Sequence, residues 1–239
     1  MILNILIINF IILTIQKFNF VKAASSGFDS VENITTDIFK QAKSSANIEF
    51  FIGRVFNGAL YDIPSGGPSL ESSVDHDGIQ NIANANSAGL VTDAYFIPRY
   101  AQLNDDIDGQ VIVNYTLNAL NNANLPLKNI WVVISSKVRS GWSTDSTTNV
   151  ECLNRILTQF KNNIDNVGIM TSQDALTVIT GDNGDISASK PFATLLWWKN
   201  CEGNGTFTSF GGWQTPAIIQ NSCGKENFGI EKVNMDVKN

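Results

Sequence analysis

Residues 91–135 contain VTDAYFI (91–97), GQVIVNYTLNALN (109–121) and NIWVVIS (129–135). The first and last of these are short apolar runs rich in β-branched and aromatic residues, and the middle segment has the apolar spacing of a helix. Two strands on either side of a helix predict a right-handed βαβ unit with parallel strands. The strands are continuously apolar rather than alternating, as expected when both faces of a sheet are covered.

The same alternation extends in both directions along the chain. Ile48–Phe56 is predicted to be a strand, and Gly78–Ala88 is predicted to be a helix that Gly89 ends. Later segments predict one helix and three strands, at Thr148–Asn162, Val167–Met170, Ala193–Trp198 and Ala217–Gln220. This α/β order suits either a barrel or a doubly wound sheet, and both place a site at the carboxyl ends of the strands. Those ends hold Arg99, Ser135 and the residues after Met170.

The composition fits one soluble domain and excludes some partners. The chain has 239 residues, of which 43% are hydrophobic and 16% charged, and its net charge is -6. No basic patch is available to neutralise phosphates, so nucleic acid is not an expected partner. We expect a monomer that needs no cofactor and no metal.

The first residues have the features of a targeting segment. Residues 1–15 are almost entirely apolar, and Val21 and Ala23 place small residues where signal peptidase prefers them. We therefore expect a signal peptide at residues 1–23 and a mature domain at residues 24–239. The product would be secreted, or delivered to a lysosomal or vesicular lumen, with no membrane attachment after cleavage. The alternative is an anchored N-terminal helix, although the run is shorter than the roughly 20 residues of a membrane span.

Sequons and cysteines agree with export. Sequons for N-glycosylation begin at Asn33, Asn114 and Asn204. Cys201 and Cys223 flank a Gly-rich stretch and are expected to form a disulfide in an oxidising compartment. Cys152 lies on the apolar face of a predicted helix and is expected to be a buried, inert thiol. The cysteine spacing does not match a zinc site.

Several segments, taken in chain order, carry a family resemblance. They are Gly27–Ser30 (GFDS), Phe51–Arg54 (FIGR), Ala85–Pro98 (ANSAGLVTDAYFIP), Leu195–Trp198 (LLWW) and Phe210–Ala217 (FGGWQTPA) with Gln220. Together they resemble glycoside hydrolase family 25, in particular its nematode and protist lysozymes. The resemblance implies a single irregular (β/α) barrel of the TIM type. It also implies cleavage of the β-1,4 bond between N-acetylmuramic acid and N-acetylglucosamine in peptidoglycan.

The family's catalytic pair is missing from the matching strand. Glycosidic cleavage needs a proton donor and a second carboxylate, which this family supplies as Asp-x-Glu at the end of a central strand. In the segment IWVVIS (130–135), Val133 stands at the Asp position and Ser135 at the Glu position. Valine cannot carry charge, and the pKa of a serine hydroxyl is too high for a general acid near neutral pH. The resemblance therefore implies a glycoside hydrolase family member that lacks the expected catalytic Asp and Glu.

The resemblance assigns roles to four other residues. Asp29 matches the first-strand Asp and is the retained carboxylate. Asp93, Trp197 and Trp213 match positions that line or support the glycan groove. Neither Asn234 nor Asp236 is carried over as the family's late Asp. Among the other acidic residues, Asp105, Asp106 and Asp108 suit a solvated loop, and Asp75 and Asp77 around His76 suit a helix start.

Three functional hypotheses follow. The first is a secreted, catalytically impaired lysozyme-like protein that binds peptidoglycan or a related amino-sugar glycan in innate immunity or feeding. The second is an active muramidase that uses Asp29 with another acid, either Asp93 or Asp145, although Asp145 equally suits a helix cap. The third is an interaction scaffold without glycan affinity.

Overall fold

The computed structural model describes residues 24–58, 71–98, 109–125, 127–136, 142–181, 195–203 and 205–238. The predicted signal peptide at residues 1–23 lies outside these ranges. The same is true of Arg99, of the acidic residues at 105–108 and of the sequon residue Asn204. None of the helices in the described ranges has the length and apolar character needed to cross a membrane.

Eight strands in the described ranges close into one barrel in chain order. They are β1 (Ser25–Ser30), β2 (Ile48–Asn57), β3 (Val91–Ile97), β4 (Asn129–Val133), β5 (Asn166–Thr171), β6 (Leu195–Lys199), β7 (Ile218–Asn227) and β8 (Ile230–Lys238). Strands β1 to β7 pair in parallel, whereas β8 is antiparallel to both β7 and β1. The closed ring confirms the irregular barrel and excludes the doubly wound sheet.

Helices cover the outside of this barrel. They are α1 (Thr36–Ala46), α2 (His76–Ser87), α3 (Gly109–Asn122), α4 (Ser146–Lys161) and α5 (Gln173–Thr180). The sequence predicted α2, α3 and α4 with ends within two residues of those observed, and it missed α1 and α5. Gly89 follows α2 with a φ of 78°, a left-handed conformation that costs glycine little.

Apolar side chains form two layers, one inside the barrel and one between its strands and the helices. The inner layer consists of Phe50, Ile52, Tyr95, Trp131, Val133, Met170, Trp197 and Ile218. The outer layer includes Phe28, Phe51, Phe96 and Phe160, and it also holds Cys152, which is buried and outside the disulfide, as predicted. Two covered faces explain why the barrel strands are continuously apolar in sequence.

A disulfide joins Cys201 to Cys223, the pair expected from the sequence. It ties the turn after β6 to β7. Because it closes a loop with a sequence separation of 22 residues, the loop-entropy model gives it about 3 kcal/mol of stabilisation. The double variant Cys201→Ser, Cys223→Ser should therefore unfold at a lower urea concentration.

Reduction of the natural protein with dithiothreitol provides the control. It should lower the urea midpoint by a similar amount, since Cys152 is not part of a disulfide. An unchanged midpoint in both experiments would contradict a stabilising role for this disulfide.

Candidate functional site

The carboxyl ends of β1 to β7 meet at one end of the barrel, which we call the mouth. Asp29 on β1 lies in register with Asn234 on β8, and Gln220 on β7 lies in register with Asp236 on β8. Because side chains alternate along a strand, Asn234 and Asp236 share one face of β8. These four polar side chains are brought together near the mouth.

Asp29 is buried, and both of its carboxylate oxygens accept hydrogen bonds. Only 3% of the residue is exposed. Asn234 Nδ2 donates to Oδ1 over 2.8 Å, and Gln220 Nε2 donates to Oδ2 over 2.7 Å. Cys223 Sγ of the disulfide packs against the same amide group, 3.1 Å from Gln220 Oε1. Asp29 is therefore held in place rather than presented to solvent.

Asp236 forms a second buried carboxyl group beside Asp29. Its Oδ1 accepts a hydrogen bond from Trp197 Nε1 over 2.8 Å, and its Oδ2 accepts none from the described residues. Burial raises the pKa of Asp29 to about 6, against the stabilising hydrogen bonds from Asn234 and Gln220. Burial, and then the charge of Asp29, raise the pKa of Asp236 well above its ordinary value. Two neighbouring buried carboxyl groups cannot both carry charge cheaply, so we expect Asp236 to keep its proton beside Asp29 near neutral pH.

Because the pKa values of this carboxyl pair are raised in the folded protein, we expect folding stability to fall as the pH rises. The pKa of Asp29 in the folded protein is about 6, compared with 3.8 as the ordinary value. The folded state therefore holds the proton more tightly than the unfolded chain. The contribution of Asp29 to the free energy of unfolding is fully present below about pH 4. It is lost as the pH rises through 6, and the loss is about 3 kcal/mol. Thermal unfolding between about pH 4 and pH 7 would measure the loss.

The matched variant is Asp236→Asn. Its amide oxygen can still accept from Trp197 Nε1, and its amide nitrogen can donate to Asp29 at every pH. The raised pKa of Asp236 also makes the folded state hold a proton that the unfolded chain loses, and asparagine removes that titration, so the fall in melting temperature between about pH 4 and pH 7 should shrink. An unchanged pH dependence would show that this carboxyl pair does not control it.

The structure places Val133 and Ser135 at the mouth. Val133 is the last residue of β4, faces the barrel interior and lies in register with Met170 on β5. It is 9% exposed, and Ser135, two residues further on, is partly exposed. The positions expected to carry the family's Asp and Glu are therefore at the same end of the barrel as Asp29. That they are the sites of lost carboxylates remains a prediction.

Asp93 lies deeper in the barrel than the mouth residues. It is the third residue of β3 and is 1% exposed. Its Oδ2 forms an ion pair with Lys238 Nζ at 2.9 Å, and its Oδ1 accepts from Asn129 Nδ2 over 2.7 Å. Trp131 Nε1 donates weakly to Oδ2 over 3.4 Å. These contacts suit a supporting role through Trp131 and leave no oxygen for direct contact with a ligand.

The two tryptophans predicted to contact glycan occupy different layers. Trp197 is fully buried inside the barrel, where it makes edge-to-face contacts with Tyr95 and Trp131 at centroid distances of 6.1 and 5.9 Å. Trp213 lies in the outer layer and packs on Phe210 at 6.0 Å. Trp197 is therefore next to the carboxyl pair, and Trp213 is not. Contact of either residue with glycan stays a prediction.

Two other acidic positions are helix caps. Asp145 precedes α4 and accepts from Thr148 Oγ1 at 2.6 Å and from the Thr147 and Thr148 amides. These bonds, the Thr148 hydroxyl first, lower its pKa. Asp75 caps α2, as the predicted helix start implied. Within the described ranges, no group of three His, Cys, Asp or Glu side chains lies close enough to hold a metal ion.

Gln220, Asn234 and Asp236 are the site residues that sequence reasoning did not assign. The family resemblance includes Gln220 only as part of a motif, and it carries over neither Asn234 nor Asp236. The available signal was their spacing, because residues two apart on a strand share a face. That spacing alone does not predict which strands pair with β8.

Comparisons with known proteins identify the family. Residues 21–221 match the family described as Lysozyme-like protein 1. Lysozyme-like protein 2 of Caenorhabditis elegans is 30% identical over 139 residues, which cover 58% of this chain and 47% of that protein. Probable GH family 25 lysozyme 4 of Dictyostelium discoideum is 31% identical over 161 residues, which cover 66% of this chain and 70% of that protein.

A solved structure shares the fold. The family GH25 lysozyme from Aspergillus fumigatus has a TM-score of 0.63 and 17% identity, and the match covers 90% of this chain and 94% of that one. The closed barrel with its antiparallel last strand thus defines a lysozyme-type β/α barrel. The chain belongs to the lysozyme-like proteins of glycoside hydrolase family 25.

Proposed function

We propose that this protein is a secreted, glycan-binding member of the lysozyme-like family whose hydrolytic activity is impaired. Its ligand is peptidoglycan or a related amino-sugar glycan, and its role is in defence or feeding. The observation that carries the proposal is the presence of Val133 and Ser135 at the mouth end of β4. Neither side chain can donate a proton to a leaving glycosidic oxygen near neutral pH.

The remaining carboxyl groups near the mouth support the loss of hydrolysis. Asp29 and Asp236 are at most 3% exposed, and three of their four oxygens accept hydrogen bonds from Asn234, Gln220 and Trp197. A general acid must lie within hydrogen-bond reach of the leaving oxygen. Buried carboxyl groups that are held by protein donors do not meet that requirement in this arrangement.

Export is supported by independent features of the chain. Residues 1–23 have the composition of a signal peptide. The Cys201–Cys223 disulfide suits an oxidising compartment. The sequon residues Asn33 and Asn114 are exposed and thus accessible to glycosylation.

An active muramidase is the second candidate function. The pKa of Asp29 is raised to about 6, and a carboxyl group with such a pKa can hold a proton in mildly acidic surroundings. On this alternative, Asp29 would exchange its partners and act with a second acid. Lytic activity that Asp29→Asn abolishes would support it.

The deciding experiment uses the natural mature protein, from Ala24 onward. It would be incubated with insoluble bacterial peptidoglycan at about pH 3 to pH 8, and both pelleted protein and new reducing ends would be measured. We expect the protein to pellet with the glycan and to release no reducing ends. Release of reducing ends would overturn the proposal in favour of the muramidase. Failure to pellet with peptidoglycan and with chitin would favour the interaction scaffold.

A further inference from the structure

Three partly exposed side chains lie together on the outer side of the barrel, at the mouth end of β6. They are Trp198, Asn200 and Phe207, which we call the rim platform. Trp198 is the fourth of the five residues of β6 and packs against the outer layer, whereas its neighbour Trp197 faces the interior. Since β6 runs parallel to β5, this position is close to the mouth. The rim platform therefore adjoins the mouth but is separate from the carboxyl pair.

A ladder of aromatic rings holds Trp198 in one orientation. Its ring makes an edge-to-face contact with Phe207 at a centroid distance of 5.2 Å. Phe207 contacts Phe210 at 5.6 Å, and Phe210 contacts Trp213 at 6.0 Å. Phe210 and Trp213 are at most 8% exposed, so the ladder is anchored in the core. A ligand that stacks on Trp198 or Phe207 meets rings that are already ordered, which reduces the entropy lost on binding.

The turn that carries Asn200 is also fixed, and the Asn200 side chain is available to a ligand. The Asn200 amide donates to the Gln220 carbonyl over 2.9 Å, and the Gly203 amide donates to the Asn200 carbonyl over 3.0 Å. The disulfide from Cys201 to Cys223 ties the same turn to β7. The described residues form no hydrogen bond to the Asn200 carboxamide, which is partly exposed. This group therefore offers two N–H donors and one oxygen acceptor.

A small open space separates the Asn200 carboxamide from the Trp198 ring. It exists because the adjoining exposed residue is Gly205, which has no side chain. A Cβ atom at Gly205 would lie 3.5 Å from Asn200 Nδ2, 3.7 Å from Asn200 Oδ1 and 3.7 Å from Trp198 Cη2. These are ordinary contact distances for a methyl group. The space thus fits one methyl group, with an aromatic edge on one side and an amide on the other.

We propose that the rim platform binds the acetamido group of an N-acetylated amino sugar. The methyl of this group occupies the space beside Gly205, and its amide pairs with the Asn200 carboxamide, since each amide has both a donor and an acceptor. The C–H groups of the sugar ring pack on Trp198 and Phe207, whose faces carry partial negative charge. A glycan that extends from the mouth would meet the platform as a second contact on one polymer. The source of the sugar, though not these contacts, rests on the proposed function.

The test compares three trimers that differ only at the position of the acetamido group. They are chitotriose, the glucosamine trimer with an ammonium group, and cellotriose with a hydroxyl group. The mature protein is exported to the bacterial periplasm, where disulfides form. Its sequons stay unmodified there, so a glycan attached at Asn204 cannot compete for the platform. We expect chitotriose to bind most tightly in titration calorimetry, because it alone has the methyl group and the amide.

Two variants locate the binding on the rim platform. Asn200→Ala removes the pairing amide and should weaken chitotriose binding about tenfold, the effect of one hydrogen bond. Gly205→Ala places a methyl group in the open space and should weaken binding by a similar factor. Gly205 does not have a left-handed backbone conformation, so this variant should keep its melting temperature. Asn118→Ala, which alters an exposed asparagine on α3, is the matched control and should change nothing.

Two results would overturn the inference. One is equal binding of the three trimers, and the other is chitotriose binding that neither Asn200→Ala nor Gly205→Ala weakens, since the mouth alone would then hold the ligand. Peptidoglycan pelleting by the natural protein, measured in parallel, tests the proposed function separately. Pelleting without trimer binding at the platform would reject the platform and leave the proposed function standing. Trimer binding at the platform without pelleting would support the platform and reject peptidoglycan as the ligand.

Discussion

The double variant Val133→Asp, Ser135→Glu is expected to cleave peptidoglycan that the natural protein leaves intact. Val133 is the last residue of β4, and Ser135 lies two residues beyond it at the mouth. Side chains two residues apart in an extended segment point the same way. Their Cβ atoms would be about 7 Å apart. With both side chains on the same side, the two carboxyl groups can reach separations of roughly 5–9.5 Å, the range over which pairs of carboxylates serve glycoside hydrolysis. A positioned general acid alone contributes about 10²–10⁴ in rate, so release of reducing ends should be readily measurable.

The control for this gain is the variant Val133→Asn, Ser135→Gln, which has similar shape and no transferable proton. It should release no reducing ends. Because Val133 is only 9% exposed, the melting temperatures of both variants need to be compared with that of the natural protein. Equal hydrolysis by the amide variant would contradict the acid–base explanation. A folded, glycan-binding but inactive acidic variant would show that β4 is not aligned as the resemblance implies.

Trp197→Ala is expected to cost about 4 kcal/mol in the free energy of unfolding, the range for removal of a buried tryptophan. Trp197 is fully buried at the centre of the inner layer, between Tyr95 and Trp131. Its Nε1 is the one donor to Asp236 Oδ1 that the described residues supply. Alanine would therefore leave both a cavity and a buried carboxyl group without that partner. Urea unfolding would measure the loss.

Two variants separate these effects. Trp198→Ala alters the neighbouring tryptophan, which is partly exposed and packs outside the barrel on Phe207 at 5.2 Å, so its cost should be smaller. Trp197→Phe retains most of the packing and removes the N–H group, so it isolates the hydrogen bond, at about 1–3 kcal/mol. Equal costs for Trp197→Ala and Trp198→Ala would contradict the central position of Trp197.

The barrel strands were largely predictable because burial on both faces makes them continuous apolar runs. The elements that escaped prediction lack such a signal. In α1 only Phe39 and Ala42 are buried, so its apolar stripe is thin, and α5 has just eight residues. Strand β8 places Asn234 and Asp236 near the mouth and thus has no continuous apolar run. Local patterns were sufficient where burial was uniform and failed where polar groups face inward.

The site was less predictable than the fold. Asp29 was assigned through the family resemblance, but its donor Gln220 is 191 residues away along the chain. No local pattern connects residues so far apart, because their contact depends on how the barrel closes. The raised pKa values have the same origin, since they come from burial of Asp29 beside Asp236. The composition of β1 or β8 alone predicts neither the contact between Asp29 and Gln220 nor the raised pKa values.

The antiparallel pairing of β8 with β1 has a consequence for biosynthesis. The two strands meet through residues as distant as Asp29 and Asn234, which are 205 positions apart. At a translation rate of roughly 5–20 residues per second, β1 leaves the ribosome about 10–40 seconds before its partner exists. During that interval the backbone amides and carbonyls along one edge of β1 can pair with another nascent chain. Ring closure must follow release of the last strand, so yield in a cell depends on protection of that edge while synthesis continues.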